Sequence, residues 1–217
     1  MAENFEIPGT DWQLERLTVG PLLMNSYLVT SPATEEAMLV DPGDEPERLL
    51  QAIAASNCQL THLVCTHAHF DHVSAAAAIQ ASCDLPLRLH PDDVPLLERL
   101  SDARSMYGFP PVPQPKAEAD LTGSIPFGGG VIEAVHVPGH CCGHVMLVLP
   151  GHSLVGDVIF YDSIGRTDLP GGDFNTLADS IREHVYIQKD ETVLHCGHGP
   201  ETTVGREARE NPFVTRS

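Results

Sequence analysis

Thr66-His67-Ala68-His69-Phe70-Asp71-His72 follows directly on the apolar run Leu60–Cys65. Three imidazoles and one carboxylate fall within six residues. In an extended segment alternate side chains share a face, so His67 and His69 converge on one point. A helix beginning near Asp71 would turn Asp71 and His72 toward a neighbouring point. Imidazole and carboxylate donors at two adjacent points suit two divalent ions, such as zinc or iron. The plainer alternative, a solvated histidine-rich turn, leaves that spacing unexplained.

Three further elements each end a strand-like run and add one donor. Pro138-Gly139-His140 follows Val131–Val137, Gly156-Asp157 follows Leu154–Val155, and Gly197-His198-Gly199-Pro200 follows Val193–Leu194. Taken singly, each reads as a turn; their order after the histidine cluster is what makes them a set. Glycine beside a donor permits backbone geometry and close approach that other residues resist.

With these elements the chain resembles the metallo-β-lactamase fold superfamily of hydrolases, from about Leu14 to Val214. The resemblance implies a four-layer αββα fold of the α/β class, spanning residues 1–217 as one domain. It implies one ion held by His67, His69 and His140, a second held by Asp71, His72 and His198, and Asp157 bridging both. All seven positions carry the residue type the superfamily uses. The implied ions are divalent, zinc first, with iron or manganese as alternatives. Asp41, in Val40-Asp41-Pro42-Gly43, matches the superfamily's aspartate near the site and would orient a ligand histidine; a plain turn aspartate is the alternative. His62, His90, His136, His152, His184 and His195 match no partner pattern and are read as packing. His144 lines the pocket or packs behind it. The thiols of Cys142 and Cys196 are incidental or alter metal preference.

Coordination can lower the pKa of water to about 7, so a hydroxide bridging two ions is a nucleophile at neutral pH. The carboxylates expected to take part in catalysis are Asp71 and Asp157. A thiolate leaves without a general acid, since a thiol has a pKa of about 8.5. A thioester therefore suits such a site. Gly156 to Gly172 resembles the corresponding loop of glyoxalase II-like hydrolases, more narrowly their short bacterial branch. Gly197–Pro200, Thr202–Glu207 and Asn211-Pro212-Phe213 resemble that branch's C-terminal end. The resemblance implies a small-molecule substrate, a hydroxyacylglutathione thioester such as S-lactoylglutathione. Arg166 meets a substrate carboxylate or braces its own loop through Asp168, and Tyr161 and His144 are further pocket candidates. Two rivals stay open. One is a persulfide dioxygenase with a single iron on His67, His140 and Asp157; the other is a lactone hydrolase on the dinuclear site.

Composition sets the outer bounds. A chain of 217 residues with 42% hydrophobic and 19% charged content can bury a substantial core. Twelve Lys and Arg against 30 Asp and Glu leave a net charge of −18, which repels nucleic acid. No apolar run reaches the length of a membrane span, and the start Met1-Ala2-Glu3-Asn4-Phe5-Glu6 carries no secretory pattern. Cysteines 58, 65, 83, 141, 142 and 196 show no disulfide spacing, so a cytoplasmic location with free thiols is expected.

Strands are expected at Leu14–Val19, Tyr27–Thr30, Ala37–Val40, Leu60–Cys65 and Leu85–Leu89 in the first half. The second half adds Val131–Val137, Val145–Leu149, Leu154–Val155 and Thr192–Leu194. Helices are expected at Pro46–Ser56, Val73–Ala81, Asp92–Leu100 and Asn175–Tyr186, with a short polar one closing the chain. Prolines 110, 111, 113 and 115 make Tyr107–Pro115 a loop, either a lid or a surface excursion.

Overall fold

Continuous apolar runs decide the architecture, because a strand covered on both faces must present apolar side chains to each. The computed structural model describes residues 3–118 and 120–216. Met1, Ala2, Ala119 and Ser217, parts of the expected 1–217 domain, lie outside the described residues. Among the described residues seven strands form one sheet in chain order. They are β1 (Glu3–Glu6), β2 (Gln13–Val19), β3 (Met24–Ser31), β4 (Glu36–Val40), β5 (Gln59–Val64), β6 (Leu87–Arg88) and β7 (Ala117–Glu118). A second sheet contains β8 (Gly123–Phe127), β9 (Gly130–His136), β10 (Val145–Leu149) and β11 (His152–Gly156). A small ribbon of β12 (Ile159–Phe160) and β13 (Ser163–Ile164) stands apart, and β14 (Val193–Cys196) and β15 (Thr202–Thr203) complete the second sheet beyond β11.

Every residue of β3 is buried, and its sides divide the core. Tyr27 and Val29 pack with Met38, Val40, Ile132, Val145, Leu147 and Leu154 between the two sheets. Leu28 faces the opposite way, with Leu39 and Leu63, onto helices α1 (Pro46–Ala55), α2 (Phe70–Val73), α3 (Ala76–Cys83), α4 (Val94–Glu98) and α5 (Leu100–Met106). On the far side Met146 and Val155 of the second sheet pack under α6 (Phe174–Ser180) and α7 (Val204–Glu210). The expected αββα layering is therefore present, held by three apolar seams.

Differences from the sequence reading have local causes. The helix expected over Val73–Ala81 is two helices, α2 and α3, because the Ala75 N–H leaves the helical ladder for the carbonyl of Pro42 at 2.9 Å. The expected Asp92–Leu100 helix breaks at Arg99 and runs on to Met106, since Leu100 and Arg104 keep a buried face beyond the break. Asn175–Tyr186 starts as α6 and finishes as a wider turn over Ile181–Val185. Edge strand β8 escapes sequence reading because Pro126 interrupts it, as edge position allows. Tyr107–Pro115 is irregular, and its Phe109 and Val112 pack against the helical side of the first sheet. No helix among the described residues is long and apolar enough to cross a membrane.

A pair of buried histidines gives this packing a pH dependence. His195 on β14 is fully buried, its Nε2 is 2.8 Å from Nδ1 of His152, and the rings of Phe5 and Tyr27 meet it edge-on. Burial, then His152 and Arg16, bring its pKa down to about 3. In the unfolded chain a histidine takes its proton near pH 6.5. Between those values the unfolded state binds the extra proton, so stability falls as pH falls. Wild type is expected to lose about 2 kcal/mol more than His195→Leu between pH 6.5 and pH 5. Urea unfolding of both proteins at the two pH values measures that difference.

Candidate metal centre

Parallel pairing brings strand ends together. β4 and β5 run parallel in one sheet and β11 and β14 in the other, so the segments after them emerge at one edge. Asp41 follows β4, His67 follows β5, Asp157 follows β11 and His198 follows β14, while His140 lies in the turn between β9 and β10. The single turn α2 adds Asp71 and His72.

The seven expected donors converge. His69 Nδ1 and His140 Nε2 are 2.8 Å apart, and His198 Nε2 is 3.2 Å from Asp71 Oδ2. Asp157 lies between these groups. Its Oδ1 is 3.4 Å from His72 Nε2, and its Oδ2 is 3.7 Å from His140 Nε2 and 3.9 Å from His198 Nε2. His67, His69 and His140 can hold one ion, as can Asp71, His72 and His198, while His67, His72 and Asp157 form a third donor group linking the two.

The other nitrogen of most of these rings has an oxygen partner. His72 Nδ1 meets Asp41 Oδ2 at 3.0 Å, His140 Nδ1 the Arg166 carbonyl at 2.8 Å, and His198 Nδ1 the Leu22 carbonyl at 3.2 Å. His67 Nδ1 meets Thr66 Oγ1 at 3.1 Å, and that hydroxyl donates onward to Asp41 Oδ2 at 2.7 Å. An imidazole that donates from one nitrogen keeps a lone pair on the other, the arrangement a metal ligand needs. Nε2 of His67, Nε2 of His72 and Oδ1 of Asp157 are buried with no hydrogen-bond partner. Three orphaned donors at one point are costly unless something binds them; divalent cations fit this donor set.

Charge points the same way. Burial, followed by the rings of His72 and His144, pushes His67 well below its ordinary pKa, and burial with His140 brings His69 down to about 3. Both rings are therefore neutral, the form that can donate a lone pair to a cation. Burial opposes ionisation of Asp157, yet His72, His140 and His198 hold its carboxyl well below the usual range. Burial also opposes a charge on His72, but Asp157, Asp41 and Asp71 around it raise its proton affinity. Three carboxylates crowding one buried imidazole demand positive charge.

The remaining expected residues sit differently. His144 is completely buried, stacks on His67 at 4.7 Å and accepts the Asp157 N–H on Nε2 at 3.1 Å. It backs the site and does not line an open pocket. Arg166 Nε and one terminal nitrogen bond both carboxylate oxygens of Asp168, at 2.7 and 2.8 Å, so its side chain braces its own loop. The Tyr161 ring lies under the Arg206 guanidinium at 3.6 Å. Cys142 is exposed and Cys196 buried.

Asp93 escaped the sequence reading. Its carboxylate is buried and accepts the N–H of Ala68 at 2.8 Å and of Gly143 at 2.7 Å, tying the first histidine turn to the His140 turn. The available signal was its place just after a strand, in His90-Pro91-Asp92-Asp93. Asn25 and Tyr27 were likewise missed; both donate to the Cys196 carbonyl, at 3.1 and 2.6 Å, and so hold the turn that carries His198. His90, Asp92 and His136 make another donor cluster. Its two imidazoles stack nearly parallel, 4.1 Å and 8° apart, and stacked parallel rings do not aim lone pairs at one ion.

The model of the metallo-beta-lactamase superfamily matches residues 19–198. The chain belongs to that superfamily. It is a metallo-hydrolase by this membership, with His and Asp groups placed for metal ions. It is 36% identical to the hydroxyacylglutathione hydrolase GloC of Haemophilus influenzae, over 83% of this chain and 88% of that one. A crystal structure of TTHA1623 in a di-iron-bound form superposes with a TM-score of 0.83 and 40% identity, covering 92% of this chain and 99% of that one. BLEG-1 B3 metallo-beta-lactamase superposes with a TM-score of 0.86 and 33% identity, covering 93% and 99%.

Two substitutions test the centre. A methyl group on Gly197 would lie 2.2 Å from Asp157 Oδ1, so Gly197→Ala is expected to expel metal while leaving the circular dichroism of the fold intact. Asp93→Ala frees two turns at once and is expected to weaken metal binding by about 10- to 100-fold, read by competition with a chromophoric chelator.

Proposed function

We propose that the chain is a metal-dependent thioester hydrolase that cleaves hydroxyacylglutathiones such as S-lactoylglutathione, using His67, His69, Asp71, His72, His140, Asp157 and His198 to hold two divalent ions. The observation that carries this reading is the placement of Asp157, whose two oxygens face both donor sets at 3.4–3.9 Å. Two ions bound there would supply Lewis acidity and a nucleophilic water near neutral pH.

The protein's own part is positional. Asp41, Thr66 and the carbonyls of Leu22 and Arg166 fix the rings, so that no ligand must reorganise as charge develops. Asp71 and Asp157 bring two negative charges against two divalent ions, leaving net positive charge to meet an oxyanion. Apart from the donors themselves, the histidine nearest the centre is His144, which is buried and already accepts the Asp157 N–H. A leaving group that needs no proton therefore suits the site, and a thiolate is one. The 36% identity to GloC supports the glutathione thioester among such substrates. The complete Asp71, His72 and His198 set favours two ions over the single iron of a persulfide dioxygenase.

Metal-quantified protein is expected to consume S-lactoylglutathione, followed by loss of thioester absorbance, with about two zinc or iron ions per chain. Asp157→Ala and His140→Ala are expected to lose metal and to lower kcat/KM by about a thousandfold or more, since Lewis-acid stabilisation is worth several kcal/mol. Full activity in either variant, or an inert metal-replete wild type, overturns the reading.

A further inference from the structure

The helix α2 carries Asp71 and His72 and is only four residues long. One turn fixes many dihedrals for few hydrogen bonds and is unstable by itself. It holds its place through external anchors. Two lie on the Asp41-Pro42 turn: Asp41 bonds His72, and the Pro42 carbonyl accepts the Ala75 N–H. The third comes from the opposite side, from Arg104 on α5.

Arg104 is 6% exposed, and its partners are all neutral. Its Nε donates to the Pro110 carbonyl at 2.7 Å, one terminal nitrogen donates to Ser74 Oγ at 2.5 Å, and its guanidinium lies 5.6 Å from the centre of the Phe109 ring. Ser74 in turn donates its hydroxyl to the Phe70 carbonyl, the first residue of α2. The Phe70 ring is flanked by Tyr107 at 5.2 Å and Phe109 at 5.4 Å. Arg104 thus locks the proline-rich segment and α2 into one unit. A buried guanidinium without an anion is costly, and the bonds to Pro110 and Ser74 offset part of that cost.

We propose that Arg104 is a positioning residue for the second ion, acting through Ser74 and the Phe70 carbonyl to hold Asp71 and His72 in register with His198. Two of the first ion's donors, His67 and His140, are anchored elsewhere, whereas His69 adjoins α2 and its carbonyl accepts the His72 N–H at 3.0 Å. His67 is held by Thr66, Ala68 by Asp93, and His140 by the Arg166 carbonyl. The proposal rests on the two-ion reading of the site and not on the thioester.

The test is metal titration of metal-free wild type, Arg104→Met and Ser74→Ala with zinc against a chromophoric chelator, alongside thermal unfolding. Wild type is expected to bind two ions. Arg104→Met is expected to bind the second ion about tenfold more weakly or worse, the scale of losses behind metal ligands, and to weaken the first ion less. Ser74→Ala breaks only the middle link and is expected to weaken the second ion too. Unchanged binding of both ions in either folded variant overturns the proposal, as does parallel weakening of both ions tracking a lowered melting temperature. If Arg104→Met does not fold, Ser74→Ala decides alone. A wild type that binds one ion removes the two-ion reading and this proposal together, whereas two ions without thioester hydrolysis removes only the substrate assignment.

Discussion

The carboxylate of Asp41 is the joint on which the centre depends. One oxygen accepts the Thr66 N–H at 2.6 Å; the other takes the Thr66 hydroxyl and His72 Nδ1. Through Thr66 it reaches His67, so one buried side chain orients a ligand from each donor set. Its own backbone is pinned where Ser26 donates to its carbonyl and its N–H meets the Val64 carbonyl. Asp41 adopts a left-handed backbone conformation, φ 53°, which aspartate tolerates better than most residues. That conformation turns the chain off β4 and aims the carboxylate across to the end of β5.

The same device recurs around the site. Each turn that carries a donor is tied to another strand end by a buried polar side chain. Asp93 joins the His67 turn to the His140 turn, His144 supports the backbone of Asp157, and Asn25 and Tyr27 hold the turn before His198. Asp93, Asn25 and Tyr27 are buried and partnered, and His144 is partnered through Nε2, which makes the network rigid. Among the described residues, the buried side-chain atoms around the centre left without partners are Nε2 of His67, Nε2 of His72, Oδ1 of Asp157 and, behind them, Nδ1 of His144. His195 Nδ1 also lacks one, but it belongs to the separate pair with His152.

The four layers serve this geometry. Helices on both outer faces free the two sheets to meet face to face, and parallel pairs within each sheet place several strand ends at one edge. Glycine lets those ends close up: a Cβ on Gly156 would lie 2.5 Å from Thr66 Oγ1, and one on Gly197 would strike Asp157. The net charge of −18 sits uneasily with a buried carboxylate cluster, unless the cluster's own cations offset it locally.

Spacing singled out the His67–His72 cluster, and the resemblance to the superfamily added His140, Asp157 and His198. His67, His69, Asp71 and His72 are close in sequence, and His140, Asp157 and His198 each follow a strand and a glycine, so local geometry already restricted where they point. The layers were legible too, since Tyr27–Thr30 and Ala37–Val40 lie within strands buried on both sides. Asp93, Arg104 and Asn25 were not, because each acts on a partner at least 25 residues away, and no local pattern records such a pairing. Nor could spacing choose between the two roles open to His144 or to Arg166. The sequence by itself determined which atoms can bind metal, through residue type and period. Only the tertiary structure decided which side chains hold those atoms still, because burial and long-range hydrogen bonding exist only once the two sheets have closed on each other.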